Sequence, residues 1–132
     1  LMTARYDWTI NQGETTRLVY SRVDASSTPI PFQISNPVFK MQARQKYGGS
    51  VVLELSTAGY QQGSGTVEFN VDPLSAGNDA GKSKVEIYIS STKTAAITAP
   101  GKYVYDIETV MPNGDRERFL EGTLIVTPEV TV

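Results

Sequence analysis

The chain has 132 residues, a formal net charge of -2 at pH 7, and neither cysteine nor histidine. This length favours one domain that can bury a core without disulfides. The missing residue types exclude thiolate chemistry, histidine-activated nucleophiles and the commonest zinc ligands. The slightly acidic balance argues against a nucleic-acid binder, which normally carries a basic patch.

The ends of the chain bear on where the protein is made. No apolar run is long enough to span a membrane, and no charged start leads into an apolar signal segment. Leu1 precedes Met2, and we take Met2 as the natural start. We therefore expect one domain over residues 2–132, made in a cytoplasm, not exported by a standard signal, and without a membrane partner.

The first two predicted strands lie at 5–10 and 15–23. Tyr6, Trp8 and Ile10 alternate with polar residues, which predicts a half-buried strand whose apolar side chains pack in the core. The second segment is rich in β-branched and aromatic residues, as strands are. Two prolines in the loop that follows forbid regular strand pairing there.

The middle of the chain predicts three further strands, at 38–44, 50–56 and 66–71. Apolar and polar side chains alternate in each of them, so each has one face toward a core. Glycines at 48–49 mark a turn after the first of these strands. A polar, glycine-rich loop separates the second from the third.

The letters "AGNDAGKS" at 76–83 end like a phosphate-binding loop. That motif needs a glycine where this chain has Ala76, and it must open a helix. Here the next segment, 84–90, alternates Val85, Ile87 and Ile89 with polar or charged residues and predicts a strand. We therefore predict a surface loop, without nucleotide binding and without a cofactor.

Residues 90–97 form the one predicted helix, which is one or two turns long. Ser91 or Thr92 is the predicted N-cap. Two long strands follow, at 102–111 and 116–127. The "PNGD" turn between them indicates a tight hairpin, because Asn-Gly supplies positive φ angles. Gly122, inside the last strand, predicts a bulge or a close backbone contact.

Seven or eight short strands and one short helical piece predict an all-β protein, specifically an antiparallel β-sandwich. Period-two placement also predicts which side chains are buried. The predicted buried residues are Trp8, Phe39, Met41, Leu53, Phe69, Ile87, Tyr103 and Leu124.

The sequence offers few groups for catalysis. Asp106 and Glu108 lie two apart on one strand and therefore share a face, where they form either an acid–base or cation pair or a solvated surface. We favour the solvated surface, and we predict no catalytic residues, no metal site and no enzyme activity. The candidate partner-contact residues lie in polar or glycine-containing loops: Tyr47, Tyr60, Asn113 and Asp115.

Six short motifs follow one another along the chain: "TINQGETTRLVY" near the start, Pro29-Ile30, "FKMQAR" at 39–44, "VVLELST" at 51–57, "GTVEFNV" at 65–71 and "GKYVYDIETVMPNGDRERFLEGTLIVTPEVT" at 101–131. The last stretch, a Tyr-x-Tyr-Asp-Ile-Glu strand, a glycine turn and Arg-Phe-Leu-Glu-Gly, is the most specific part. This ordered set resembles small virion proteins of tailed bacteriophages, and in particular the N-terminal domain of phage baseplate upper proteins.

The chain departs from this pattern at 31–39, where "PFQISNPVF" replaces an "IDLTGYTA"-type segment. The resemblance implies an immunoglobulin-like β-sandwich that works as a virion part in the tail, baseplate, neck or capsid. It implies other virion proteins as partners, multiple copies in the particle, and localisation in the virion after synthesis in the host cytoplasm. The alternative is a host-surface adhesin or carbohydrate-binding module that uses the loop tyrosines.

Overall fold

The computed structural model describes residues 3–30, 32, 38–56, 69–71, 83–110 and 113–130. In these ranges most residues lie in β-strands and there is one short helix, which confirms the predicted all-β class. The elements are β1 (Ala4–Arg5), β2 (Trp8–Asn11), β3 (Thr16–Ser21), β4 (Phe39–Arg44), β5 (Val51–Ser56), β6 (Phe69–Val71), β7 (Lys84–Ile89), α1 (Ser91–Ala95), β8 (Gly101–Val110) and β9 (Arg116–Thr127).

The strands form two sheets. The larger sheet has the order β1-β9-β8-β4-β5, with β2 also paired to β9, and the smaller has the order β3-β7-β6. Both β1 and β2 run parallel to β9, whereas the other strand pairs are antiparallel. The expectation of purely antiparallel pairing was therefore wrong at this edge. After β2 the chain crosses to the other sheet, so β2 pairs with the distant C-terminal strand.

The two sheets pack face to face around one apolar core. The ring of Phe39 on β4 stacks on the ring of Phe69 on β6, with centroids 5.2 Å apart. Tyr20 on β3 meets Phe119 on β9 at a centroid distance of 5.3 Å. The predicted buried residues named above, from Trp8 to Leu124, are each at most 5% exposed.

The first predicted strand is interrupted. Residues 6 and 7 lie between β1 and β2, and the side chain of Tyr6 is exposed, so its predicted place in the core was wrong. Asp7 accepts a hydrogen bond from the backbone N–H of Thr123 at 3.0 Å. Tyr105 donates its hydroxyl to the Tyr6 carbonyl at 2.5 Å. The irregular backbone at this break turns the Tyr6 ring to solvent while Trp8 and Ile10 stay buried.

Gly122 makes the close backbone contact that its position predicted. A Cβ at this residue would lie 2.0 Å from the carbonyl oxygen of Tyr6. The bulge lies elsewhere, because the register between β8 and β9 shifts between Ile107 and Glu108, opposite Phe119. This shift directs both Phe119 and Leu120 into the core.

The short helix α1 is confirmed, but its N-cap is Ser90 and neither of the residues that the sequence suggested. The Ser90 hydroxyl accepts a hydrogen bond from the backbone N–H of Lys93 at 3.2 Å. Thr94 is fully buried and donates to the carbonyl of Glu14 at 2.8 Å. This contact ties α1 to the turn between β2 and β3.

The segment that resembled a phosphate-binding loop leads into β7, which confirms the predicted strand after it. Residues 76–82 of that segment lie outside the described residues. Ser83 is buried and its carbonyl accepts a hydrogen bond from the backbone N–H of Arg22 at 2.9 Å. The motif therefore lacks the helix N-terminus that a phosphate site requires.

Candidate interaction surfaces

Three of the four predicted contact residues lie in the described ranges, at two ends of the larger sheet. Tyr47, which is 77% exposed, lies in the turn between β4 and β5, near the start of β8. Asn113 and Asp115 lie beyond the other end of β8. Tyr60 is outside the described residues. Tyr47 and the Asn113–Asp115 turn are thus separated by roughly 20 Å of strand, and they do not form one patch.

Two hydrogen bonds join Asn113 and Asp115. Asn113 donates its amide to the Asp115 carboxylate at 3.1 Å, and its amide oxygen accepts from the Asp115 backbone N–H at 3.0 Å. Gly114 has φ 93°. The hairpin is therefore confirmed, but it is longer than a two-residue Asn-Gly turn, since Val110 pairs with Arg116.

Tyr47 borders a shallow cleft on the outer face of the larger sheet. The cleft has a volume of about 140 Å³, and Gln42, Arg44, Val104 and Asp106 contribute to its lining. An exposed aromatic ring thus lies beside an amide, a guanidinium and a carboxylate. This combination can stack on a flat ring and hydrogen-bond to hydroxyl groups.

Arginines from β9 neutralise the two carboxylates that the sequence placed on one face of β8. Arg118 lies 3.5 Å from Asp106, and Arg116 lies 3.8 Å from Glu108. A hydrogen bond to Glu121 and the charge of Asp106 raise the pKa of Arg118. These side chains are largely exposed, so each pair contributes little to stability. They form a charged ladder on the sheet surface, as the solvated-face interpretation expects.

A cavity of about 460 Å³ opens between the sheets near the start of β9. The guanidinium of Arg22, which is 3% exposed, lies at its wall. Its Nε donates to the Ile30 carbonyl at 3.2 Å, and its Cζ lies 4.1 Å from the ring centroid of Phe32. Glu117 is 3.9 Å away. Burial lowers the pKa of Arg22, and the charge of Glu117 partly opposes that shift.

Arg22 was not among the residues singled out from the sequence, although one signal in the sequence pointed to it. Leu18 and Tyr20 on β3 are both half-buried and pack against the core, and Arg22 continues their period of two. The alternation therefore assigns Arg22 to the inner face. A charged residue in that register is unusual, since buried charges require partners.

The free edges of the sheets differ in how they are protected. On β5, the Lys93 ammonium donates to the Glu54 backbone carbonyl at 2.8 Å. The opposite edge of the larger sheet is interrupted at residues 6 and 7, between β1 and β2. On β3, no described residue pairs along the outer edge between Thr16 and Ser21. Val19 on this strand is 60% exposed. The β3 edge is therefore less protected than the edges of the larger sheet, and it is longer than the three-residue strand β6 at the other edge of the smaller sheet.

Comparisons with known proteins identify no family for the chain: no protein-family model matches it, and no curated protein matches it. Within the described ranges, no helix is long and apolar enough to cross a membrane. Those same ranges contain no cluster of acidic side chains that could hold a metal ion.

Proposed function

We propose that the chain is an immunoglobulin-like β-sandwich that serves as a structural component of a tailed-bacteriophage virion. It acts by protein–protein assembly in the tail, baseplate or neck, or on the capsid. The strand order supports the topology, because β3-β7-β6 corresponds to the B-E-D sheet of that fold. The order β9-β8-β4-β5 corresponds likewise to its G-F-C-C′ sheet.

The observation that carries the assembly role is the β3 edge. Natural sandwiches protect their edge strands with charges, breaks or covering segments, because an open edge pairs with other chains. Here the edges of the larger sheet carry such protection, and β3 carries one charged residue, Arg17, and an exposed Val19. An edge of this kind can take up a further strand from a neighbouring subunit.

The motif resemblance supplies the virion context for this surface. It favours other virion proteins as partners and several copies in each particle, with the protein located in the virion. Symmetric repetition of one small contact then stabilises the assembly without any turnover. This proposal requires no cofactor and assigns no catalytic residue.

The experiment locates the chain in purified particles of a phage that encodes it. We expect mass spectrometry to detect the chain in the virion, and a deletion of its gene to remove a tail or surface feature visible by electron microscopy. Expression of the wild-type chain in trans should restore that feature. The proposal is wrong if the chain is absent from purified particles and the deletion particles are complete and fully infectious.

The cleft at Tyr47 favours a second candidate, a carbohydrate-binding or adhesin role on the host surface. Its exposed ring and flanking polar groups match the needs of a sugar, which stacks on one face and hydrogen-bonds at its rim. A screen against surface glycans should then yield binding that Tyr47→Ala abolishes. Tyr6→Ala is the matched control, since Tyr6 is exposed and does not line this cleft. Absence of binding to any glycan removes this candidate.

A further inference from the structure

We infer that β3 pairs with β3 of a second copy of this chain, antiparallel, about a two-fold axis that passes between the two Val19 residues. The two smaller sheets then join into one continuous sheet. This inference rests on the proposed assembly function and names one of its contacts. It is tested on purified protein, so its failure leaves the virion proposal open.

Backbone geometry fixes which groups are available on the edge. The N–H of Arg22 donates to the Ser83 carbonyl on the β7 side. In an antiparallel pair, successive residues direct their N–H and C=O groups to opposite sides. The backbone groups of Arg17, Val19 and Ser21 therefore point away from β7, to the free edge. These are the groups that a further strand would bond.

The side chains select one register. With the axis at Val19, the two Val19 residues form a hydrogen-bonded pair, and Arg17 lies opposite Ser21 of the other copy. The exposed valine side chains then cover each other. The two Arg17 residues stand four positions apart in register, roughly 13 Å along the strands. An axis at Arg17 would instead oppose two guanidinium groups, which is unfavourable.

Charges near the edge are compatible with this contact. Arg17 pairs with Glu86 on β7 at 2.8 Å, and its Cζ lies 4.6 Å from the Tyr88 ring centroid. Its charge is thus neutralised within its own subunit and directed away from the edge. Leu18 and Tyr20 keep their contacts with the core. Pairing therefore needs no rearrangement of the sandwich.

A six-residue edge forms a small interface, so association in solution is weak. We expect a monomer–dimer equilibrium with a Kd between about 10 μM and about 1 mM, the range suited to an interface below standard size. Multiple anchored copies in a particle raise the effective concentration far above that of the free chain. The same contact is then populated fully.

The first experiment measures mass by sedimentation equilibrium. As the protein concentration increases, we expect the average mass of the wild type to rise toward twice the 14.4 kDa of the chain. V19K should stay monomeric at all concentrations, with an unchanged circular dichroism spectrum. V130K is the control for added charge, since Val130 is 92% exposed. V51K tests the β5 edge. A monomeric wild type, or a dimer that V51K dissociates and V19K does not, overturns the inference.

The second experiment tests the register. The chain has no cysteine, so V19C introduces a single thiol. Hydrogen-bonded antiparallel partners have Cα atoms about 5.5 Å apart, within the range that a disulfide spans. Mild oxidation should therefore cross-link V19C to a covalent dimer, and R17C should cross-link with S21C but not with itself. Efficient self-linking of R17C, with none for V19C, contradicts the proposed axis.

Discussion

The two halves of β9 differ in how the polar groups beside them are accommodated. From Leu120 onward, β9 lies between β8 and the parallel strands β1 and β2, and a Cβ at Gly122 has no room. Polar groups there form short hydrogen bonds, such as the one from the Tyr105 hydroxyl to the Tyr6 carbonyl. Before Leu120, the strand borders a cavity, and the Arg22 guanidinium lies 3.9 Å from Glu117.

This contrast follows from how many strands cover each half. The described N-terminal strands begin to pair with β9 at Leu120. Before that point β8 is the strand that pairs with β9 in the described part of the chain, and the Thr3 hydroxyl donates to the Arg118 carbonyl at 3.0 Å. At Gly122 the Tyr6 carbonyl leaves no room for a Cβ, whereas the cavity beside the first half of the strand accommodates a long charged side chain. Substitutions in the two halves should therefore differ in size and in physical cause.

The largest effect is expected for Gly122→Ala. The added Cβ would lie 2.0 Å from the Tyr6 carbonyl oxygen, so the N-terminal strands must move away from β9. We expect a loss of about 4 kcal/mol in the free energy of unfolding, measured by urea denaturation. Thr123→Ala, at the half-buried next residue, should cost less than about 1 kcal/mol. Equal losses for the two variants would contradict the close contact.

Arg22→Ala tests the looser half. It removes the hydrogen bond to Ile30 and the contact with Phe32, and it enlarges an existing cavity. We expect a loss of about 3 kcal/mol, because buried arginine contributes through packing as well as charge. Arg17→Ala, which removes an exposed ion pair, should cost below about 1 kcal/mol. A smaller loss for Arg22→Ala than for Arg17→Ala would contradict this account.

Gly114→Val separates backbone strain from crowding. Among the described residues other than its two chain neighbours, no heavy atom lies within 4 Å of a Cβ at Gly114, but its φ is 93°. The cost therefore arises from a β-branched residue at positive φ, about 2 kcal/mol. The measurement is the melting temperature, compared with that of Gly122→Ala. An unchanged melting temperature would show that the hairpin accommodates a negative φ at this position.

Period-two patterns predicted most of the fold because burial enforces them. Phe39 and Met41 on β4, like Leu53 on β5, each have one face in the core, and the predicted burial holds for all of them. The pattern failed at Tyr6, where contacts of residues 6 and 7 with β8 and β9 determine the backbone. The pairing partners of the strands could not be predicted from the sequence either, since the parallel pairing to β9 joins residues more than a hundred positions apart.

The interaction surfaces were less predictable than the fold. Exposed tyrosines such as Tyr47 stand out in a sequence, and the structure places this residue beside a cleft. An open edge such as that of β3 does not stand out, because whether a strand has a second neighbour depends on the order of the sheet. The protection of β5 was hidden for the same reason. It depends on Lys93, which lies far away in the chain.

The smallest effect is expected at Tyr105 on β8, which pairs with Gly122 in the tightly packed half of β9. Burial raises the pKa of Tyr105 above its ordinary value of 10.0. Above pH 10 the unfolded chain therefore releases this proton while the folded chain retains it. The unfolded state then binds fewer protons, so stability falls as pH rises through that range. Tyr105→Phe removes this contribution.

At neutral pH, Tyr105→Phe should cost about 1 kcal/mol, because the Tyr6 carbonyl loses its hydroxyl donor. The difference from wild type should shrink between pH 9 and pH 11, as urea denaturation at each pH would show. Tyr47→Phe serves as the control for loss of a hydroxyl from an exposed ring. A gap that stays constant across this range would show that Tyr105 ionises alike in the folded and unfolded chains, contrary to its burial beneath the N-terminal strands.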